Sequence, residues 1–296
     1  MIFSAPIPFT EALQHQQAKK LMPTTASAAE LARLAPEIRE RAFFSARTNN
    51  AWYLQRQHNL VTSLVSPQTV VDPATGQSRP ARPGEYQNPA YVRTRLKQAL
   101  AEIGYTPDKN KRGGLQDLGS DRRLDLIIEM QSGFSRGYAN ELQAQEPAIL
   151  DMWPASELYR ARTRNKRRAW GTRWNDAIRT LGSATSAKPV SNPFAESGMI
   201  ALKNDRIWIE ISAFGLPYPP FDYKSGMRKR DVDRDRAEAL GVIKPEETVA
   251  PKRNPLNQDV HASSPVPEDS PLFATLMQTL GKAISFDGGS LVMGAN

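Results

Sequence analysis

The sequence contains no cysteine. That single absence removes disulfides, thiolate nucleophiles and cysteine-based zinc sites together, and it suits the cytoplasm or a virus particle. Histidine is almost as scarce: His15, His58 and His261 are the three in the chain, and no two stand at ligand spacing. A histidine-rich metal site or a Ser-His-Asp triad therefore has no local signature, although distant residues can meet in a fold. No run approaches the roughly 18 apolar residues of a membrane helix. The opening MIFSAPIPFTEALQHQQ has two early prolines and no basic n-region, so no signal peptide is expected. The chain reads as soluble, with no membrane partner. Nucleophile-elbow, Rossmann and kinase signatures are all missing. The basic stretch Lys109 to Gly114 lacks the Gly-x4-Gly-Lys-Ser/Thr spacing of a phosphate loop and reads as a solvated connector. Neither catalysis nor a cofactor is expected.

What is present is a polar but globular composition. Of 296 residues, 40% are apolar and 24% charged, enough for one large domain or two ordinary ones. Proline (23) outnumbers glycine (18), which points to long connecting segments beside the folded part. Lys and Arg number 39 against 31 Asp and Glu, a net charge of +8. The excess is mainly arginine and is clustered. It serves either as a solvated surface or as a face for phosphates or an acidic protein.

In order along the chain, residues 1–23 read as an irregular arm interrupted by Pro6, Pro8 and Pro23. Thr25 or Ser27 caps a short helix through Leu34, and Pro36 suits a first helical turn, where its missing N–H costs nothing. Apolar positions at Ile38, Ala42, Ala46, Leu54, Val61, Leu64 and Val65 recur near 3.6 residues and predict one long amphipathic helix over 37–65. Residues 66–88 read as a loop or small hairpin around Asp72 to Gly76. Asn88 (N-cap), Pro89 (first turn) and Gly104 (just past the end) punctuate the next helix. The most strongly patterned helix is expected over 121–145, with Leu124, Ile127, Ile128, Gln131, Phe134, Tyr138 and Leu142 on one face. Gly133 and Gly137, four apart, read as points of close packing, and Pro147 as the stop.

Residues 148–180 interleave Trp153, Tyr159, Trp170 and Trp174 with Arg160, Arg162, Arg164, Lys166, Arg167, Arg168 and Arg173. Two strands, 157–162 and 168–174, joined by a basic turn at Asn165, are expected. Such a hairpin serves either as an exposed element whose aromatics are core, or as a nucleic-acid or acidic-partner contact through phosphate neutralisation and stacking. Met199 to Leu202 reads as a short strand. Then comes the stretch from Trp208 to Gly241: alternating apolar residues, a proline and aromatic turn, and an exit through Ser225-Gly226-Met227 into a charged helix. Trp208, Pro217, Tyr218, Pro219, Pro220, Phe221 and Gly226 read as a structural corner. Its acidic string, Asp231, Asp233, Asp235 and Glu238, begins like a calcium loop. The required Gly and bidentate acid are, however, replaced by Arg236 and Val242, so the acids read as a helix cap and local ion pairs, and no metal is expected.

Residues 244–271 hold six prolines and read as a poorly ordered linker. A short apolar helix over 271–284 follows. Its face, Leu272, Phe273, Leu276, Met277 and Leu280, is suited to docking on a partner subunit or back on its own domain. The final SFDGGSLVMGAN reads as a flexible tail.

Three of these segments, in this order, are similar to the head-morphogenesis proteins of tailed bacteriophages, the Mu F-like minor head proteins. They are the helix RLDLIIEMQSGFSRGYANEL, the Arg- and Trp-rich LYRARTRNKRRAWGTRW, and the turn GLPYPPFDYKSGM with its exit DVDRDRAEALG. One departure stands out. Many family members carry Cys-Arg-Cys just after the turn, where this chain has Ser225-Gly226-Met227, so no metal or disulfide role carries over. The resemblance implies an organisation into an arm (1–23), a helical region (24–120), a family-like core (121–243) and a linker with a short docking helix (244–296). The fold expected is α+β, mostly helical, with a small antiparallel sheet in the C-terminal half of the core and an extended Pro-rich tail. The function implied is that of a minor capsid component of the virion, made in the host cytoplasm. It would associate with the portal protein and other head proteins, touch packaged DNA with its basic surface, and be oligomeric through the assembled particle. The competing expectation is a stand-alone basic nucleic-acid-binding protein using residues 159–174.

Overall fold

The computed structural model describes residues 9–65, 69–72, 74–80, 88–164, 167–252, 262–264, 270–281, 284–287 and 290–293. The chain begins with α1 (Thr10–Ala18), β1 (Lys20–Leu21), α2 (Ala28–Leu31), α3 (Pro36–Arg41), β2 (Ala42–Phe43) and α4 (Ala51–Val65). It continues through β3 (Thr69–Val71), β4 (Ser78–Pro80), α5 (Pro89–Glu102), α6 (Asp121–Ala144), α7 (Pro147–Met152) and β5 (Ala155–Arg160). Then follow α8 (Trp170–Leu181), β6 (Met199–Leu202), the one-turn α9 (Ile207–Glu210), β7 (Met227–Val232) and α10 (Arg234–Ala239). The last elements are β8 (Ala262–Ser264), α11 (Pro271–Leu280), β9 (Ile284–Asp287) and β10 (Ser290–Met293). This is the α+β, mostly helical fold expected, with a small antiparallel sheet. None of the described helices is long and apolar enough to cross a membrane.

Two compact units emerge, residues 1–135 with 256–296, and residues 136–255. In the first, α4, α5 and the start of α6 share an apolar core of Leu60, Leu64, Val92, Leu96, Leu100, Leu124 and Ile128. The expected punctuation of α5 holds. The Asn88 side chain accepts from the Tyr91 N–H. The Gly104 N–H and Tyr105 N–H close back on the carbonyls of Ala101 and Leu100, with Gly104 at φ +68°. That paired closure is the glycine stop that satisfies the last carbonyls of a helix. Ser27 caps α2 in a reciprocal arrangement with Glu30.

Several expectations for this unit need correction. The arm over 1–23 is helical from Thr10, and Met22 is fully buried. The single helix expected over 37–65 is two helices. Ala42–Phe43 leaves the helical path to pair in parallel with Lys20–Leu21, and α4 restarts where the Asn50 side chain accepts from the Tyr53 N–H. The apolar spacing survives the break because Ala42 and Phe43 still point into the core. Leu272 and Leu276 of α11 are buried with Met22, Leu31, Leu34 and Ile38 of the same unit, and Phe273, Met277 and Leu280 pack around them. Of the two roles expected for this face, docking on a partner or back on its own domain, the second is the one seen. The flexible tail expected at the end forms β9 and β10, which pair antiparallel, with β8 on the other side of β10. Of the expected linker, 244–252 is described and buries Val249, whereas 253–261 and 265–269 lie outside the described residues.

The second unit is built on the sheet β6-β5-β7, all pairs antiparallel. Alternation along the strands sends Leu158, Met199, Ala201 and Met227 into one core with Trp170, Trp174, Trp208 and Phe221. The alternate residues Ala155, Ile200 and Val232 enter a second core with Leu150, Ala237, Val242 and Ile243. Here too the sequence misleads: residues 168–174 do not form a strand. Trp170, Trp174, Ala177, Ile178 and Leu181 continue at helical spacing, and all pack in the first core as one face of α8. The charged exit helix is likewise shorter than expected, since Met227–Val232 is strand and only Arg234–Ala239 is helix. In α6, Leu142 is exposed rather than part of the buried face. Pro147 begins α7, in the first-turn position.

Candidate functional site

Trp208 is the centre of the second unit. It is fully buried and donates its indole N–H to the Leu202 carbonyl at 2.8 Å. Its ring meets Trp174 edge-on at 5.5 Å between centroids and stacks with Phe221 at 6.1 Å. The Lys229 ammonium lies 4.7 Å from the Trp208 ring centre while pairing with Glu141 at 2.7 Å. Around Pro217 to Phe221 the backbone is tied down where the Ala213 N–H donates to the Phe221 carbonyl. The Pro219–Pro220 peptide is cis. The Trp208 end of the stretch is a helical turn rather than a strand, and Ile209 is exposed.

Two glycines set how the surrounding elements approach. At Gly137 in α6 a Cβ would overlap the Pro219 carbonyl and press on Tyr218, so the helix comes against the corner only because that position is bare. Tyr138, next along, meets Tyr218 edge-on at 6.1 Å. At Gly226 the φ of +72° already favours glycine, and a Cβ would overlap the Arg162 carbonyl. The Ala161 and Arg162 N–H groups both donate to the Gly226 carbonyl. The segment that follows β5 is thereby clamped at the start of β7.

The arginines expected to meet nucleic acid divide into two sets. Arg160 pairs with Glu196 at 2.8 Å and is nearly buried, and Arg167 reaches the same carboxylate at 3.3 Å. Arg168 and Arg173 both pair with Asp222, at 2.6 and 3.2 Å, and Arg173 also lies over the Trp170 ring. Arg168 and Arg173 thus tie the start of α8 to the corner, whereas Arg160 and Arg167 hold the loop that precedes β6. Arg162 is exposed and forms no ion pair among the described residues. Arg164 has its Nε against Gly226. Lys166 lies outside the described residues. The nearby acids are equally committed. Glu157 is buried and accepts from the Gly198 N–H and from Arg230 at 2.8 Å, with Arg236 at 3.5 Å. Asp231 pairs with the buried Lys203 at 2.8 Å, and burial pushes that ammonium below the usual lysine range against the pull of Asp231. Asp233 caps α10 through the Arg236 N–H, as expected, and no metal-ligand cluster occurs among the described residues.

One feature escaped the sequence entirely: a polar seam buried in the first unit. His15 Nδ1 lies 3.0 Å from Ser135 Oγ, and that hydroxyl donates to the Gln16 side-chain oxygen at 2.7 Å. His58 Nε2 meets the Gln16 carbonyl at 2.7 Å. A serine and a histidine this close invite comparison with a nucleophile and its base. The single hydroxyl proton goes to Gln16, however, so in this arrangement His15 donates to Ser135 and cannot draw its proton. Ser135 is also wholly enclosed. Burial, with Lys19 adding to it, lowers His15 to about 2, and burial lowers His58 as well, so both rings are neutral. Beside them, Lys19 donates to Gln131 at 3.2 Å; burial lowers it to about 8, opposed by Glu40. Burial raises Glu40 to about 7, opposed by Lys19. Partners for these groups come from α1, α4 and α6, about 40 to 120 residues apart, so no local pattern announces them.

Comparison with protein-family models, with curated proteins and with solved structures returns no match to this chain.

Proposed function

We propose that this chain is a minor head protein of a tailed bacteriophage, associating with the portal vertex and acting in head assembly, DNA packaging or ejection. The observation that carries the reading is how the three resembling segments come together. They are separated in sequence, yet each supplies side chains to one aromatic centre: Tyr138 and Glu141 from α6, Trp174 from α8, Tyr218, Phe221 and Lys229 from the corner and its exit. At the middle position of Ser225-Gly226-Met227 the departure has a packing reason in this chain, since the contact with Arg162 leaves no room for a side chain at 226.

The work done is binding, without bond chemistry. The second unit offers a rigid apolar centre and a cationic exterior, which suits a component that has to hold its shape among acidic or phosphate-bearing neighbours. The competing reading, a stand-alone nucleic-acid binder using 159–174, loses support because Arg160, Arg167, Arg168 and Arg173 already serve carboxylates of the same chain. Co-expression with a tagged portal protein from the same phage tests the proposal. Co-purification through size exclusion is expected; failure to co-purify, together with absence from purified particles, overturns it.

A further inference from the structure

We propose that acid releases the N-terminal helix α1 from the first unit, with His15 and His58 as the pH-sensitive latch and Lys19 as the hinge. The inference concerns the first unit alone and does not rest on the head-protein reading.

Polar groups dock α1. Of its nine residues it buries Ala12, His15 and Gln16. An alanine side chain removes little apolar surface from water, and a helix this short is marginal by itself. What holds it is a set of hydrogen bonds. His15 Nδ1 meets Ser135 Oγ at 3.0 Å, the Ser135 hydroxyl donates to Gln16 Oε1 at 2.7 Å, and His58 Nε2 meets the Gln16 carbonyl at 2.7 Å. Just past the helix, Lys19 donates to Gln131 at 3.2 Å.

From Lys20 onward the chain is held differently. The backbone is extended at Lys19, and Lys20–Leu21 pairs with Ala42–Phe43. The Met22 N–H donates to the Phe43 carbonyl and the Thr24 N–H to the Thr48 carbonyl. The Met22 side chain is fully buried in an apolar core. Rotation at Lys19 therefore frees α1 while the sheet contact and the core behind it stay intact.

The latch responds to acid because both rings are enclosed as neutral groups. Burial, with Lys19 adding to it, lowers His15 to about 2, and burial lowers His58 against the pull of its bond to Gln16. The charges facing this site are Lys19, beside both rings, and Glu40 of α3, opposite Lys19, with Arg41 and Glu37 next to Glu40. α6 presents the neutral Gln131 and Ser135, and Phe43 meets the His58 ring edge-on. Release hands both rings to solvent, where they take up protons below their ordinary pKa of about 6.5, so acid favours the released form. His15 alone shifts the opening equilibrium by roughly 25-fold between pH 7 and pH 5, and His58 adds up to as much again. Glu40 works the other way: raised to about 7, it holds a proton in the closed form through the same window.

Amide hydrogen exchange on the full chain at pH 5, 6 and 7, corrected for the intrinsic chemical rate, reads the opening of α1 directly. The reference is α5, in the same unit. Protection of the α1 amides is expected to lie at least ~10-fold below that of α5, because local opening costs less than opening the unit. In Glu40→Gln, which removes the opposing proton, α1 protection should fall at least ~25-fold from pH 7 to pH 5. Adding His15→Gln and His58→Gln should flatten that profile to within about 2-fold. Equal protection of α1 and α5 would mean that α1 opens only with the whole unit, and overturns the proposal. So does a fall below ~3-fold in Glu40→Gln, or an undiminished fall in the triple variant. The first two comparisons need no histidine variant, and they decide the matter if the triple variant does not fold.

Discussion

The two units differ in the balance of charge they carry and in what fills their centres. The first holds 18 Lys and Arg against 16 Asp and Glu and takes some of that charge inside, with Lys19 and Glu40 both nearly enclosed beside the neutral rings of His15 and His58. The second carries a net +6, centres on Trp174, Trp208 and Phe221, and keeps most of its arginines outside or on carboxylates. A buried polar seam imposes geometric demands, since each group needs its partner, and it couples stability to protonation. An aromatic centre does neither. The second unit buries charge as well, at Lys203 and Glu157, but each there meets an opposite charge, Asp231 and Arg230.

The largest expected effect strikes the aromatic centre. Phe221 is fully buried against Trp208, so Phe221→Ala should cost ~3–5 kcal/mol by opening a cavity. Chemical denaturation followed by tryptophan fluorescence measures this, and a loss below ~1 kcal/mol would show that the centre does not carry the unit.

The seam supplies the next effect, visible against pH. His15 and His58 are held neutral in the fold, so below their ordinary pKa of about 6.5 the unfolded chain takes up protons that the native chain refuses, and stability falls on acidification. Glu40 has the opposite sign. Raised from 4.5 to about 7, it keeps a proton in the fold that the unfolded chain has already released, so its contribution falls as pH rises between those values. The two trends oppose each other between pH 5 and 7. Glu40→Gln removes the second, leaving a stability that climbs with pH across that window, a change on the order of 1–3 kcal/mol. Thermal melts at pH 5, 6 and 7 read it directly; superimposable profiles for the variant and the parent would show that Glu40 does not titrate in that range.

Helix caps should not distinguish the units at all. Asn88→Ala in the first and Asp233→Ala in the second each remove one side-chain acceptor from a helix start, and each should cost about 1 kcal/mol. A cost several-fold larger at one of them would mean that the cap there also supports something beyond its helix.

Much of this architecture was legible wherever the signal was local. Asn88, Pro89 and Gly104 bracket α5 because capping chemistry acts within four residues, and the seven-position stripe of α6 marks a helix that ends within a residue of the expected 145. The corner was legible because prolines and aromatics crowd into one turn. Errors came where a short window fits two periods. Trp170 and Trp174, four apart, suit a strand's alternation and a helix's turn equally, and only Ala177, Ile178 and Leu181 decide. The break at Ala42–Phe43 needed knowledge of Lys20–Leu21, its partner in the sheet, which no local pattern contains. The same holds for function. The dense run from Arg160 to Arg173 drew attention by its density, yet four of its arginines prove to be held by Glu196 and Asp222, carboxylates tens of residues away that no local pattern pairs with them.

The measurement that bears most directly on the proposed role is a quantitative mass-spectrometric inventory of purified phage particles from cells expressing this chain. The chain should be found in the particle in a few copies, at a stoichiometry comparable to the portal and far below the major capsid protein. Particles that lack it, from lysates in which it is abundant, would contradict a place in the head.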